Sequence, residues 1–144
     1  MTDVGLDLLA ALLADEHAAV YAYGVLGGRL DDQDRRQALA DFDAHRRSRD
    51  DVTNRLRAAG RPPAGPHPSY DVTVVARTDA LALAVRIETS LAVRWRDVLG
   101  ATADVALRRL AVAGLQASAV RAAQWRRTAG VQPVTVALPG VAAG

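Results

Sequence analysis

The chain has 144 residues, half of them apolar, and this length suits one domain with a buried core. No cysteine is present, which excludes disulfide bonds, thiolate zinc sites and cysteine nucleophiles. The formal net charge is only +2, and all eighteen cationic side chains are arginine, scattered among aspartates, so we expect no nucleic-acid partner. The chain shows neither a secretory signal nor a stretch of about twenty apolar residues, which predicts a cytoplasmic protein without a membrane span.

Two long helices are predicted in the first half of the chain. Apolar residues that recur every three or four positions place the first at about 4–30, with Thr2 or Asp3 as its N-cap, and the second at about 32–59. Gly60 and the prolines after it end the second helix. Because the turn between them is short, the two helices should form an antiparallel hairpin.

A long non-helical connection comes next. Residues 60–78 are rich in proline and glycine, and we expect this crossover to carry the chain back along the bundle. The third helix is predicted at about 79–99, with Thr78 as its N-cap, and the fourth at about 103–129. An extended tail over 131–144 should then lie on the bundle.

Three ionisable residues fall where the apolar face of a helix is expected. Glu16, His45 and Glu88 each continue a run of apolar positions spaced by threes and fours, on the first, second and third helices. The chain has only these two glutamates, against fourteen aspartates. Because an unpaired buried charge is strongly unfavourable, these side chains must be paired, metal-bound or neutral. They form the candidate site.

The segments around these residues resemble a known family. Asp15 to Gly24, His45 to Asp51 and Arg86 to Glu88 look like an actinobacterial ferritin-like family of unknown function, over nearly the whole chain. Two helical hairpins joined by a long crossover between helices two and three also form the ferritin-like topology. The predicted fold class is therefore all-α, a ferritin-like four-helix bundle that forms a single domain over 1–144.

The resemblance implies a metal site that this chain has largely lost. Ferritin-like proteins hold two irons with one glutamate from each of two helices and a Glu-x-x-His pair from each of the other two. By resemblance, three of these six ligands are matched: Glu16, His45 and Glu88. Phe42 stands three residues before His45, Gln116 stands where the fourth helix should supply a glutamate, and 105–130 contains no acid or histidine. A complete di-iron centre is therefore not expected.

Two interpretations of the site remain open. In the favoured one, the site is a polar network without a cofactor, in which Arg49 pairs with either glutamate and Tyr23 or Gln116 supplies hydrogen bonds. The protein would then have a binding or structural role. In the alternative, the same glutamates and histidine hold one iron, manganese or zinc ion in a metal-binding or redox protein.

The serines and the apolar residues of the tail bear on enzymatic activity and on oligomeric state, respectively. The serines lie in no nucleophile motif, so an enzymatic activity is not predicted. Apolar residues in the tail predict a homodimer: Val134, Val136 and Leu138.

Overall fold

The structure, a computed structural model, describes residues 2–141 and is built from four long helices. These are α1 (Asp3–Gly27), α2 (Asp32–Ala58), α3 (Arg77–Ala101) and α4 (Val105–Ala129), and no strand occurs within 2–141. The helix α1 packs against α2 and α3, and α4 packs against α3. Two antiparallel hairpins joined by the α2–α3 connection thus form a four-helix bundle, which confirms the predicted all-α class and helix order.

The first helix is shorter than its predicted range. Thr2 caps α1, because its hydroxyl accepts a hydrogen bond from the Gly5 N–H at 3.2 Å. The helix ends at Gly27 rather than at residue 30. The N–H groups of Gly28 and Arg29 donate to the carbonyls of Val25 and Leu26 at 3.2 and 3.0 Å, so residues 28–29 form a tight turn in place of another helical turn.

Aspartate side chains determine where α3 and α4 begin. The Asp79 carboxylate accepts hydrogen bonds from the N–H groups of Val75 and Ala76, at 3.2 and 2.9 Å. Ala76 is therefore the N-cap of α3 instead of the predicted Thr78, and α3 begins two residues earlier than expected and ends two residues later. The fourth helix begins two residues later than predicted, because Asp104 caps it by accepting from its third N–H group at 2.7 Å.

The α2–α3 connection runs back along α1. Near its start, Arg61 Nη2 lies 2.6 Å from Asp7 Oδ1, close to the beginning of α1. Further on, the rings of Tyr70 and Tyr21 pack with centroids 5.3 Å apart. Val74, near its end, is buried in the core together with the last turn of α1. The crossover therefore returns the chain to the end of the bundle where α3 begins.

Two apolar clusters fill the interior, and the candidate site lies between them. The first cluster includes Leu9 and Ala19 of α1 and Trp95 of α3. The second cluster includes Tyr23 of α1 and Trp125 of α4.

A membrane-spanning helix needs a long apolar stretch, and none of the helices within residues 2–141 contains one.

The tail follows a bent path against α3 and α4 rather than a fully extended one. Gly140 has a φ of +82°, and a Cβ at that residue would lie 2.8 Å from the Ala92 carbonyl oxygen. Only glycine allows this approach of the tail to α3. The last part of the predicted tail, 142–144, lies outside the described residues.

Gly114 lets the buried indole of Trp95 lie directly on α4. A Cβ at position 114 would come within 2.3 Å of the indole Cε2, so any larger residue must displace a buried ring. We expect Gly114→Ala to lower the free energy of unfolding by about 1–3 kcal/mol in urea denaturation, despite the better helix propensity of alanine. Gly100→Ala, in α3 with open space around its Cβ, is the control and should leave stability unchanged or slightly higher. A Gly114→Ala variant as stable as the wild type would contradict this packing.

Candidate functional site

Glu16, His45 and Glu88 meet in the middle of the bundle. Each is at most 1% exposed, because each lies on the same face as the other buried residues of its own helix. The His45 ring lies between the two carboxylates: Nδ1 is 2.8 Å from Glu16 Oε2, and Nε2 is 2.7 Å from Glu88 Oε1. Since each nitrogen faces a carboxylate oxygen, a doubly protonated ring donates to both glutamates.

The surroundings of the ring favour this charged form. Burial disfavours a charged imidazole, but the hydrogen bonds to Glu16 and Glu88 and their negative charges outweigh it and raise the pKa of His45 from 6.5 to about 9. Burial alone would raise the pKa of Glu88, but the hydrogen bond and charge of His45, together with the charge of Arg121, lower it. At neutral pH the pair is therefore an imidazolium and a carboxylate.

Hydrogen bonds from three further side chains complete the shell of the glutamates. Tyr23 OH donates to Glu88 Oε1 at 2.6 Å, and Arg121 Nε donates to Glu88 Oε2 at 3.1 Å. Ser48 Oγ donates to Glu16 Oε1 at 2.6 Å. Every carboxylate oxygen of the two glutamates thus accepts at least one hydrogen bond, which compensates for the loss of water on burial.

The network continues from Tyr23 toward the second apolar cluster. Trp125 Nε1 donates to Asp41 Oδ2 at 2.8 Å and lies 3.1 Å from the Tyr23 hydroxyl oxygen. Gln37 Nε2 donates to the other oxygen of Asp41 at 2.9 Å. Burial and the nearby charge of Glu88 raise the pKa of Asp41. All four helices contribute to this polar network.

Two side chains predicted to support the site lie elsewhere. Arg49 Nη2 is 2.8 Å from Asp50 Oδ1, so this arginine is satisfied near the surface and does not pair with either glutamate. Gln116 is exposed and lines a groove on the outside of the bundle. The cation in the interior comes instead from α4, as Arg121. The buried face of α4 does not include Gln116 and is formed by five other residues: Leu107, Ala111, Ser118, Ala122 and Trp125.

The sequence reasoning missed five members of the network: Gln37, Asp41, Ser48, Arg121 and Trp125. Ser48 lies three residues after His45, so the same spacing that placed the histidine inward could have found it. Arg121 lies four residues before Trp125, and an inward tryptophan would have indicated an inward arginine. Asp41 lies four residues before His45 and has the same spacing signal, but its residue type does not distinguish it from the many exposed aspartates of α2.

The other two histidines of the chain lie outside the network. His17 Nε2 lies 3.0 Å from the Ala64 carbonyl oxygen, which joins α1 to the crossover. His67 is exposed, with its ring edge-on to Tyr70 at 5.4 Å between centroids.

The three side chains do not converge on a single point in this structure. Metal ligands must converge on one point at about 2.0–2.3 Å, whereas the His45 ring separates the two carboxylates. Within residues 2–141, no three carboxylate or imidazole groups are arranged to hold a metal. Phe42, where a bridging carboxylate would be expected, packs with the second apolar cluster. These side chains would have to move, and His45 would have to lose a proton, before a metal could bind.

Comparisons with known proteins agree with the fold. Residues 8–143 match the model of a family described as "Domain of unknown function (DUF4439)". The chain is also similar to the crystal structure of a conserved hypothetical protein from Mycobacterium tuberculosis, at 31% identity and a TM-score of 0.85. That likeness covers 89% of this chain and 98% of the other. No curated protein matches this chain.

Proposed function

The chain belongs to the DUF4439 family, and on this premise we propose that it is a ferritin-like protein with a binding or structural role, in which an internal ion-pair network replaces the di-iron centre. One observation carries the proposal: His45 lies between Glu16 and Glu88, with both ring nitrogens within hydrogen-bonding distance of a carboxylate. This arrangement uses the residues that match metal ligands to stabilise the protein itself.

The charge balance of the network supports this proposal. The two negative charges of Glu16 and Glu88 are matched by the positive charges of His45 and Arg121. A divalent metal would add two positive charges beside four groups whose charges already balance, so its binding would require the loss of the His45 proton at the least. Because each helix supplies a member, the network also helps to fix how the four helices pair.

The alternative is a metal-binding or redox protein that holds one iron, manganese or zinc ion on Glu16, His45 and Glu88. It predicts stoichiometric metal, and a large gain in stability when metal is added. At a free metal concentration of about a hundred times Kd, binding to the folded state alone would add about 2.7 kcal/mol.

We expect that the protein, purified without a histidine tag, carries no stoichiometric iron, manganese or zinc in elemental analysis. We also expect that added Mn²⁺ or Zn²⁺ leaves its Tm unchanged, because the carboxylate oxygens and both imidazole nitrogens already have protein partners. If instead metal is bound and is lost in Glu16→Ala and His45→Ala but retained in the exposed control Asp51→Ala, the metal-binding alternative replaces this proposal.

A homodimer belongs to the same proposal. Val136 and Leu138 of the tail are 45% and 68% exposed, and Val136 lines the groove between the tail and α4. Burial of these side chains against a second copy would remove them from water. We expect sedimentation equilibrium to give twice the mass of the chain, and the substitution Leu138→Ser to shift the protein toward the monomer. A wild-type protein that is monomeric at all concentrations tested would contradict the dimer.

A further inference from the structure

The outward face of α4 carries a second regular pattern, opposite its buried residues. Seven positions spaced by threes and fours form this outer stripe: Val105, Arg109, Val112, Gln116, Val120, Ala123 and Arg127. Val105, Val112 and Val120 are 61%, 39% and 57% exposed, respectively. Such spacing on the solvent side of a helix is typical of a surface that packs against another helix.

Two grooves border the outer stripe. One, of about 470 Å³, is lined by Val105, Val112 and Gln116 together with Leu99 of α3. The other, of about 340 Å³, is lined by Val120 and by residues of α3 and the tail. The small apolar side chains of the outer stripe therefore form a ridge with a groove beside it. The side chains of a second helix can pack into such grooves.

Charge is distributed unevenly between this face and the rest of the chain. All sixteen acidic residues lie in 1–104 with thirteen arginines, a net charge of −3, whereas 105–144 contains five arginines and no acid, a net charge of +5. Arg121 is paired with Glu88 in the core. The other four make no ion pair within residues 2–141, but Arg108 donates to the Leu99 and Thr102 carbonyls and Arg126 donates to the Thr89 hydroxyl. Arg109 and Arg127 remain, one near each end of the outer stripe.

The exposed valines and the arginines without an ion-pair partner indicate which kind of molecule would bind. We propose that the outer stripe binds an acidic amphipathic helix of another protein, which rests on the binding role proposed above. Apolar residues of the partner would cover the valines, and its carboxylates would meet Arg109 near one end of the stripe and Arg127 near the other. From Val105 to Arg127 the stripe is about 33 Å long, which a partner helix of about 22 residues covers.

Other occupants fit the outer stripe less well. A second copy packed antiparallel through α4 would bring Arg109 close to Arg127 of its partner, and a parallel pairing would bring like arginines together, so charges repel in both cases. Insertion into a lipid surface relies on large apolar side chains such as Trp, Phe and Leu, whereas the stripe offers only valine and alanine. It also lacks the aromatic side chains on which single-stranded nucleic acid stacks.

The test uses a synthetic helical peptide of 22 residues with leucine and alanine at heptad core positions and glutamate beside them. A matched peptide carries lysine in place of each glutamate. Fluorescence anisotropy should show that the acidic peptide binds the full chain at least about tenfold more tightly than the lysine peptide, and that binding weakens as salt is raised. The double variant Arg109→Glu/Arg127→Glu should lose about tenfold in affinity for the acidic peptide.

A control variant and a second pair of substitutions in the stripe complete the test. Arg36→Glu/Arg57→Glu changes two exposed arginines of α2 by the same charge and should leave binding unchanged. Val112→Ser/Val120→Ser should weaken binding without changing the circular dichroism spectrum, since both valines face solvent. The proposal is overturned if the acidic peptide does not bind, if the α2 variant loses as much affinity, or if the stripe substitutions abolish only self-association or only binding to phosphatidylglycerol vesicles. Metal content has no bearing on these results, so they are separable from the test of the proposed function.

Discussion

Replacing Glu88 with alanine is expected to lower the free energy of unfolding by about 3–5 kcal/mol. Glu88 is fully buried, and its carboxylate accepts hydrogen bonds from His45, Tyr23 and Arg121. Without it, the guanidinium and the Tyr23 hydroxyl lose their carboxylate partner, and His45 keeps only Glu16. The cost arises because these groups stay buried while their compensating charge is gone.

Urea denaturation at neutral pH measures this effect. Ser90→Ala, two residues further along α3 at an exposed position, is the control and should change stability by less than about 0.5 kcal/mol. The double variant Glu88→Ala/Arg121→Ala should be more stable than the sum of the single effects predicts, because it removes the unpaired cation together with its partner. A loss below about 1 kcal/mol for Glu88→Ala would mean that the carboxylate is not the centre of the network.

The stability of the protein is expected to fall by about 3 kcal/mol between pH 6 and pH 10 through His45 alone. The pKa of His45 is about 9 in the folded protein, against 6.5 for an unperturbed histidine. Because the folded pKa is the higher one, the folded state holds the proton more tightly. The stabilisation is therefore fully present below pH 6.5 and is lost as the pH rises through 9.

Urea denaturation midpoints across this range, for the wild type and His45→Gln, isolate the contribution of the ring. The other groups that titrate between pH 6 and pH 10 are common to both proteins, so the difference between the two curves reports on His45. It should be largest at pH 6 and should shrink steeply between about pH 7 and pH 9. A difference that does not change with pH would show that folding leaves the pKa of His45 unchanged, and a difference that grows as pH rises above 6 would show that the ring is uncharged in the folded protein.

The sequence was sufficient to predict the fold because its apolar spacing is regular and its breaks are strong. Stripes spaced by threes and fours predicted the four helices, and the prolines after Gly60 predicted the long crossover. Helix ends depended on local contacts that spacing does not encode. The Asp79 side chain moves the start of α3 by accepting two backbone N–H groups, which the sequence does not distinguish from a Thr78 cap.

The candidate site could be predicted only in part, for a physical reason. Glu16, His45 and Glu88 interrupt clear apolar stripes, so their inward position follows from periodicity. The fourth helix is rich in alanine on several sides, and alanine is compatible with either a buried or an exposed position. Alanine spacing therefore does not identify its inward face, and only the position of Trp125 indicates that Arg121 points inward; Arg49 was proposed as the cation although it pairs with Asp50.

The protonation state of His45 tests the central claim most directly. In protein labelled with ¹⁵N-histidine, the ring signals can be assigned by their loss in His45→Gln and followed as pH rises. An imidazolium held between Glu16 and Glu88 should keep a proton on both ring nitrogens at neutral pH and titrate near pH 9. A ring that is neutral at pH 7, or one with a nitrogen coordinated to a metal, would contradict the ion-pair network.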